Sequence, residues 1–257
     1  MITFNIDDVI SMFYSFLFLV FRILSFVITA PLLGDQSIPK KIKLFISLVI
    51  SWCFMLLLPP MKIDFFSIDE FLILIEQIVI GISLGFSMQL TFSTIKIAGE
   101  IISFQMGLSF ASLLDWNTRS SISILSRFLY IFLLLLFLEF NGHIWMISVL
   151  FDTFQQVPIK KIGLDAHIFF NIVTFAKFIF LDGFMLMLPI IIIQLMLNIS
   201  IGVLNRITSQ ISIFSVGFTL TLIVGIYTLY LFIPRIPYFY SNIFDRLIFL
   251  LSVFSKE

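Results

Sequence analysis

Polar and charged side chains set inside apolar sequence are the chemical resource of this chain, and they are few. Arg22 and Lys177 stand within long hydrophobic runs, Glu76 and Gln77 lie in another, and Asn198, Asn205, Arg206 and Gln210 form a polar island between two more. His143 and His167 are the only histidines, and neither joins a histidine or cysteine partner at ligand spacing, so zinc is not expected. His143, following Asn141-Gly142, reads as a hydrogen-bonding group at a helix break. No glycine-rich phosphate loop, serine nucleophile context or acid/base carboxylate pair is found, which leaves enzyme chemistry without a foothold and implies no cofactor. Hydrogen bonding and ion pairing remain. In an apolar setting such groups are costly unless partnered or hydrated, so they point to interfaces or a pore.

Three constellations carry this reading. On a helix Asn198, Gly202 and Arg206 fall at i, i+4 and i+8, so amide, bare backbone and guanidinium share one face suited to touching protein. Gln210 closes that island, and Gly217 and Gly225 follow in the next apolar run. Gln77, Gly81, Gly85 and Gln89 also recur every four residues, which suits a tight helix contact, with Glu76 beside them as a carboxylate in need of a partner. The stretch 99–117 runs through Met106, Gly107, Leu108, Ser109 and Phe110 to Asp115 and Trp116. Its glycine bends and its methionine adapts, properties of a loop that seals a cavity and then moves, although a fixed re-entrant segment fits the same residues. Arg22 either snorkels to an interface or pairs with a carboxylate of a neighbouring helix, and pairing is the favoured expectation.

The elements that would hold these groups are helices. The chain of 257 residues is 60% hydrophobic and 12% charged, with mean hydropathy +1.16, whereas soluble domains carry about 25% charged residues. An all-α integral membrane protein follows, a single membrane domain over residues 1–257 with about six spans, some kinked or re-entrant. Apolar runs at 9–33, 44–58, 71–95, 122–150, 168–197 and 211–233 supply them, with a shorter tail at 238–254. Asn141-Gly142-His143 is expected to break the fourth run and Pro189 the fifth. Two parts are expected, 1–167 with broken spans and 168–257 as a helical hairpin turning at 206–210. Net charge is zero with no like-charge block, so nucleic acid is not a ligand. Lys40, Lys41 and Lys43 after the first run, against Asp7 and Asp8 before it, place the N-terminus outside, while Lys160 and Lys161 then fall against the bias. Those early acidic residues also argue against a cleaved signal peptide. The single Cys53, in an apolar run, reads as a small core residue.

Taken in order, Arg22, Pro31, Gly34 and Pro39, the segments 76–85 and 99–107, Asn141-Gly142-His143, Phe154 with Pro158, and Pro189, Asn198, Gly202, Arg206, Gln210, Phe214, Gly217 and Gly225 resemble the FliR family. These are export-gate subunits of the flagellar type III apparatus, with SctT-type counterparts in virulence secretion. The resemblance implies a FliP-like part joined to a FliQ-like C-terminal hairpin. It also implies assembly with FliP-like and FliQ-like subunits beside FlhB-like and FlhA-like components, in the bacterial inner membrane at the flagellar basal body. Unfolded flagellar proteins would be the cargo, membrane lipid the surroundings, and 106–121 the internal plug. Ser209, Ser212 and Thr219 stand where the family usually has other residues, as does Trp116 after Asp115. A small-solute secondary transporter and a non-conducting structural subunit are the alternative readings; paired repeats, which transporters often show, are not evident.

Overall fold

The computed structural model describes residues 6–58, 68–108, 123–159, 166–207, 213–239, 241, 242 and 245, and all regular structure among them is helical. Among the described residues seven α-helices follow one another: α1 (Ile6–Thr29), α2 (Lys40–Leu57), α3 (Ile68–Gln105), α4 (Ile124–Glu139), α5 (Gly142–Gln156), α6 (Ala166–Ile207) and α7 (Ile213–Phe232). A 3-10 turn, Ile233–Arg235, continues α7. All six expected apolar runs are thus helical. Four stretches are long and apolar enough to cross a membrane, Ile10–Thr29, Glu70–Gln105, Gly183–Ile207 and Gly217–Phe239. The pair α4 and α5, bent by 69°, makes a fifth if it is one broken span. The chain is an integral membrane protein of all-α class. Helix α2 stands apart from the other runs because Lys40, Lys41 and Lys43 crowd its first turn.

Local sequence accounts for the breaks. Asn141 occupies the left-handed region with φ 54°, a conformation asparagine tolerates better than most residues, and it ends α4 while opening α5. The expected break at Pro189 does not occur: α6 runs through it, at the cost of one i to i−4 hydrogen bond. Likewise 99–105, expected in a loop, forms the last turns of α3. No proline interrupts α3, and the small residue at Gly99 is used for a close helix approach described below.

The chain divides into two compact units, each discontinuous in sequence. The first comprises Met1–Leu90, Asn141–Phe175 and Leu247–Glu257, the second Thr91–Phe140 and Ala176–Arg246. The divisions fall within α3 and α6 and at the bend between α4 and α5. In the first unit α1 packs along α2. Its core holds Ile23, Phe26, Val27 and Leu84, and Phe54 meets Phe151 and Phe154 edge-on at centroid distances of 5.1 and 5.9 Å. In the second unit Ala98, Ile102, Met106, Met187 and Ile190 form a buried cluster, flanked by Leu222 and Leu229 of α7.

Candidate packing hub and gate segment

Arg22 is the polar centre of the first unit. Its side chain is fully buried, at 0% exposure. Nε donates to Gln77 Oε1 at 2.7 Å, Nη1 to the Thr153 carbonyl at 2.9 Å, and Nη2 to the Val157 carbonyl at 3.0 Å. The guanidinium carbon lies 4.2 Å from the centroid of the Phe154 ring, a stacked cation–π contact. Thr153 and Val157 form the last turn and cap of α5, where the dipole is negative: the Thr153 carbonyl accepts from the Val157 amide at 3.0 Å and takes the guanidinium as a second donor, and the Val157 carbonyl lies past the last helical residue. The planar fork therefore ties α1 to α3 and to the C-terminal end of α5 at once. These three hydrogen bonds go to neutral oxygens, and the carboxylate of Glu76 on the neighbouring α3 acts on the guanidinium through its charge. Neutral acceptors suit a buried fork because they add little desolvation cost of their own.

Gly81 and Gly85 let α3 lie against α1. A Cβ on Gly81 would collide with the Arg22 carbonyl oxygen and Ser25 Oγ and would stand 3.0 Å from the Phe26 amide nitrogen. On Gly85 it would meet Thr29 Oγ1 and come within 2.9 Å of the Ala30 nitrogen. The four-residue glycine spacing is thus used inside the chain. Three of these obstructing groups, the Arg22 oxygen and the Phe26 and Ala30 nitrogens, are backbone and cannot swing away.

In the second unit α3 ends in a Schellman cap. Gly107 takes φ 79°, the Leu108 amide donates to the Ser103 carbonyl at 3.0 Å, and the Gly107 amide donates to the Phe104 carbonyl at 3.1 Å. Met106, at 1% exposure, projects into a notch in α7 made by Gly225. A Cβ on Gly225 would lie 2.6 Å from Met106 Cγ and 2.6 Å from Gln194 Nε2. Gln194 of α6 is fully buried, donates to the Thr221 carbonyl at 3.1 Å, and leaves its Oε1 without a hydrogen-bond partner. Met106 is therefore a knob held between α6 and α7.

The chain returns to described residues at Ser123, again fixed on α3. Glu100 Oε1 accepts from the Ser123 amide at 3.1 Å, Ser126 Oγ donates to the Lys96 carbonyl at 2.7 Å, and Ser123 Oγ caps α4 by accepting from the Ser126 amide. Gly99 makes this approach possible, since a Cβ there would lie 2.5 Å from Ser126 Cα. The stretch 109–122 is thus bounded on both sides by anchors to one helix. Ser109, Phe110, Asp115 and Trp116 fall within it, outside the described residues, as does Gln210.

The remaining sequence candidates separate. Gly217 is buried, its Cβ position 3.0 Å from an Ile201 methyl carbon. Asn198, Gly202 and Arg206 are exposed, and nothing lies within 4 Å of a Cβ on Gly202. Among the described residues nothing packs on Gly202 of the α6 face that groups them. Sequence reasoning missed Gln194, Thr153 and Val157. Gln194 is the lone polar side chain between Gly183 and Asn198, a signal available in principle. Thr153 and Val157 contribute backbone carbonyls, for which no residue type is diagnostic. Cys53, expected in the core, is exposed. Among the described residues no group of three or more His, Cys, Asp or Glu is placed to hold a metal.

Residues 13–247 match the profile of the family described as Bacterial export proteins, family 1. The flagellar biosynthetic protein FliR of Buchnera aphidicola subsp. Baizongia pistaciae (strain Bp) is 57% identical over 257 residues, 100% of each chain. FliR of Pectobacterium carotovorum subsp. carotovorum is 41% identical over 261 residues, again 100% of each chain. FliR of Escherichia coli (strain K12) is 41% identical over 236 residues, 92% of this chain and 90% of that one.

Proposed function

Since the chain belongs to the bacterial export proteins, family 1, we propose that it is the FliR-type subunit of the flagellar type III export gate. It helps form and seal the conduit through which unfolded flagellar proteins leave the cell, and it acts in the inner membrane at the basal body. FliP-like and FliQ-like subunits complete the conduit, with FlhB-like and FlhA-like components beside it. Residues 1–167 form the FliP-like part and 168–257 the FliQ-like hairpin and tail. The family match across 13–247 carries this reading.

The sealing element is the segment that begins at Met106. Both of its ends are tied to α3, at the Schellman cap and at Ser123, so the segment between them closes the lumen without loosening the helix that bears it. Energy for transport comes from other components; this subunit supplies a passage and a barrier. Deleting residues 106–109 in the assembled gate raises ion conductance across the membrane. Conductance equal to that of the intact gate overturns the assignment of the seal.

A further inference from the structure

Helix α2 presents two unlike sides. Lys43, Ser47, Ser51 and Phe54 are buried, and the polar ones are satisfied internally: Lys43 Nζ donates to the Gly34 carbonyl at 2.8 Å, Ser47 Oγ to the Lys43 carbonyl at 2.8 Å, and Ser51 Oγ to the Ser47 carbonyl at 2.6 Å. Small serines on that side let α2 pack closely and turn its bulk outward. Lys41, Phe45, Leu48, Val49 and Trp52 fall at i, i+4, i+7, i+8 and i+11, a single stripe along the other side. Phe45 is 65% exposed and Trp52 58%. Phe16 of α1 meets the Trp52 ring edge-on at 6.3 Å, and between them, Leu48, Val49 and Cys53 lies an open groove of about 350 Å³ with no polar lining.

We propose that this groove holds an acyl chain of an anionic phospholipid whose phosphate is bound by Lys40 and Lys41. Charge and length select this occupant. Lys40 and Lys41 are exposed, and the first turn of α2 carries no acidic residue to neutralise them. From Lys41 to Trp52 the helix rises about 16 Å. One leaflet of a bilayer is about 15 Å of hydrocarbon, half the usual core thickness. A headgroup at the lysines therefore sends its chain along Phe45 and Leu48 to the Phe16–Trp52 pair, which forms the deep end. A partner helix would instead meet a groove that, Cys53 apart, is lined by bulky apolar side chains, and would leave the two lysines without anions. This site goes beyond the export reading and stands on the membrane character of the chain alone.

Cys53 borders the groove and is the only cysteine of the chain, so its alkylation reports occupancy. The assembled complex, stripped of lipid in detergent, is titrated with phosphatidylglycerol or phosphatidylcholine while a maleimide modifies Cys53, read by the mass of this subunit. Phosphatidylglycerol protects Cys53 at lower concentration than phosphatidylcholine, with each lysine contributing about fivefold. Lys40→Gln with Lys41→Gln erases the preference, and Val49→Trp, on the exposed side, weakens protection by both lipids. Equal protection by the two lipids, or a preference that survives loss of both lysines, overturns the proposal. So does a Cys53 that is inert in the lipid-free complex, because another subunit then covers the groove. None of these readouts depends on export activity.

Discussion

At the scale of single residues, the two hubs differ in what their loss removes. Arg22→Met removes the donor of Gln77 Oε1, the second donor of the Thr153 carbonyl and the side-chain donor of the Val157 carbonyl, and at about 1–3 kcal/mol for each acceptor left unsatisfied it costs more than the loss of one such bond. Gln77→Leu removes one acceptor and leaves the α5 capping bonds, so it costs about 1–3 kcal/mol. Thermal unfolding of the purified complex ranks the two; equal losses would mean that the carbonyl contacts contribute nothing. Lysine does not replace Arg22, since one ammonium cannot span an amide and two carbonyls while stacking on Phe154. In the second unit the coupling is steric. Gly225→Ala drives a methyl group into Met106 and Gln194 and destabilises by about 1–3 kcal/mol. Adding Met106→Ala vacates the same space and recovers part of the loss; strictly additive losses in a double-mutant cycle would separate the two residues. Arg22 was legible in sequence as a group needing a partner, yet its partners were not. Two are backbone carbonyls, and they lie 131 and 135 residues away.

At the scale of elements, glycine spacing marks helix faces without saying what meets them. The faces of Gly81 and Gly85 on α3 and of Gly202 on α6 show the same four-residue pattern in sequence. Only the first is filled within the chain. Gly81→Ala therefore forces α3 off the α1 backbone and lowers the stability of the subunit. Gly202→Ala meets open space and gains helix propensity of about 1 kcal/mol. Circular dichroism melting of both variants of the isolated chain checks the contrast, and a matching loss at Gly202 would mean that the chain itself packs on that face. Hydropathy exposed all six apolar runs, because burial in an apolar medium is what it measures. It could not place the ends of α3, since Gly99 looks like a hinge until Ser126 is found against it. Nor could it decide Pro189, whose penalty a helix held by neighbours absorbs.

At the scale of the whole molecule, length matters as much as hydropathy. The apolar stretch Glu70–Gln105 has 36 residues. It extends for about 54 Å at 1.5 Å per residue, well beyond a hydrocarbon core of about 30 Å. Lipid alone does not cover it, nor the whole of α6, whose 42 residues are longer still. Expressed without partners, the chain accumulates poorly; co-expression with the proposed FliP-like and FliQ-like subunits raises its steady-state amount several-fold, as quantitative immunoblotting would show. An amount that does not change would mean that the chain covers its own surface. The Arg22 network also sets a timetable for synthesis. Helix α1 emerges first, carrying a guanidinium whose α5 acceptors are encoded 131 and 135 residues later. At bacterial elongation rates of about 5–20 residues per second, that interval lasts about 7–27 s. Gln77 of α3, 55 residues after Arg22, and the Glu76 charge beside it reach the guanidinium sooner, but the fork stays incomplete until α5 is made. The buried fork is therefore one of the last contacts of the first unit that synthesis can complete, closed only when the final turn of α5 exists.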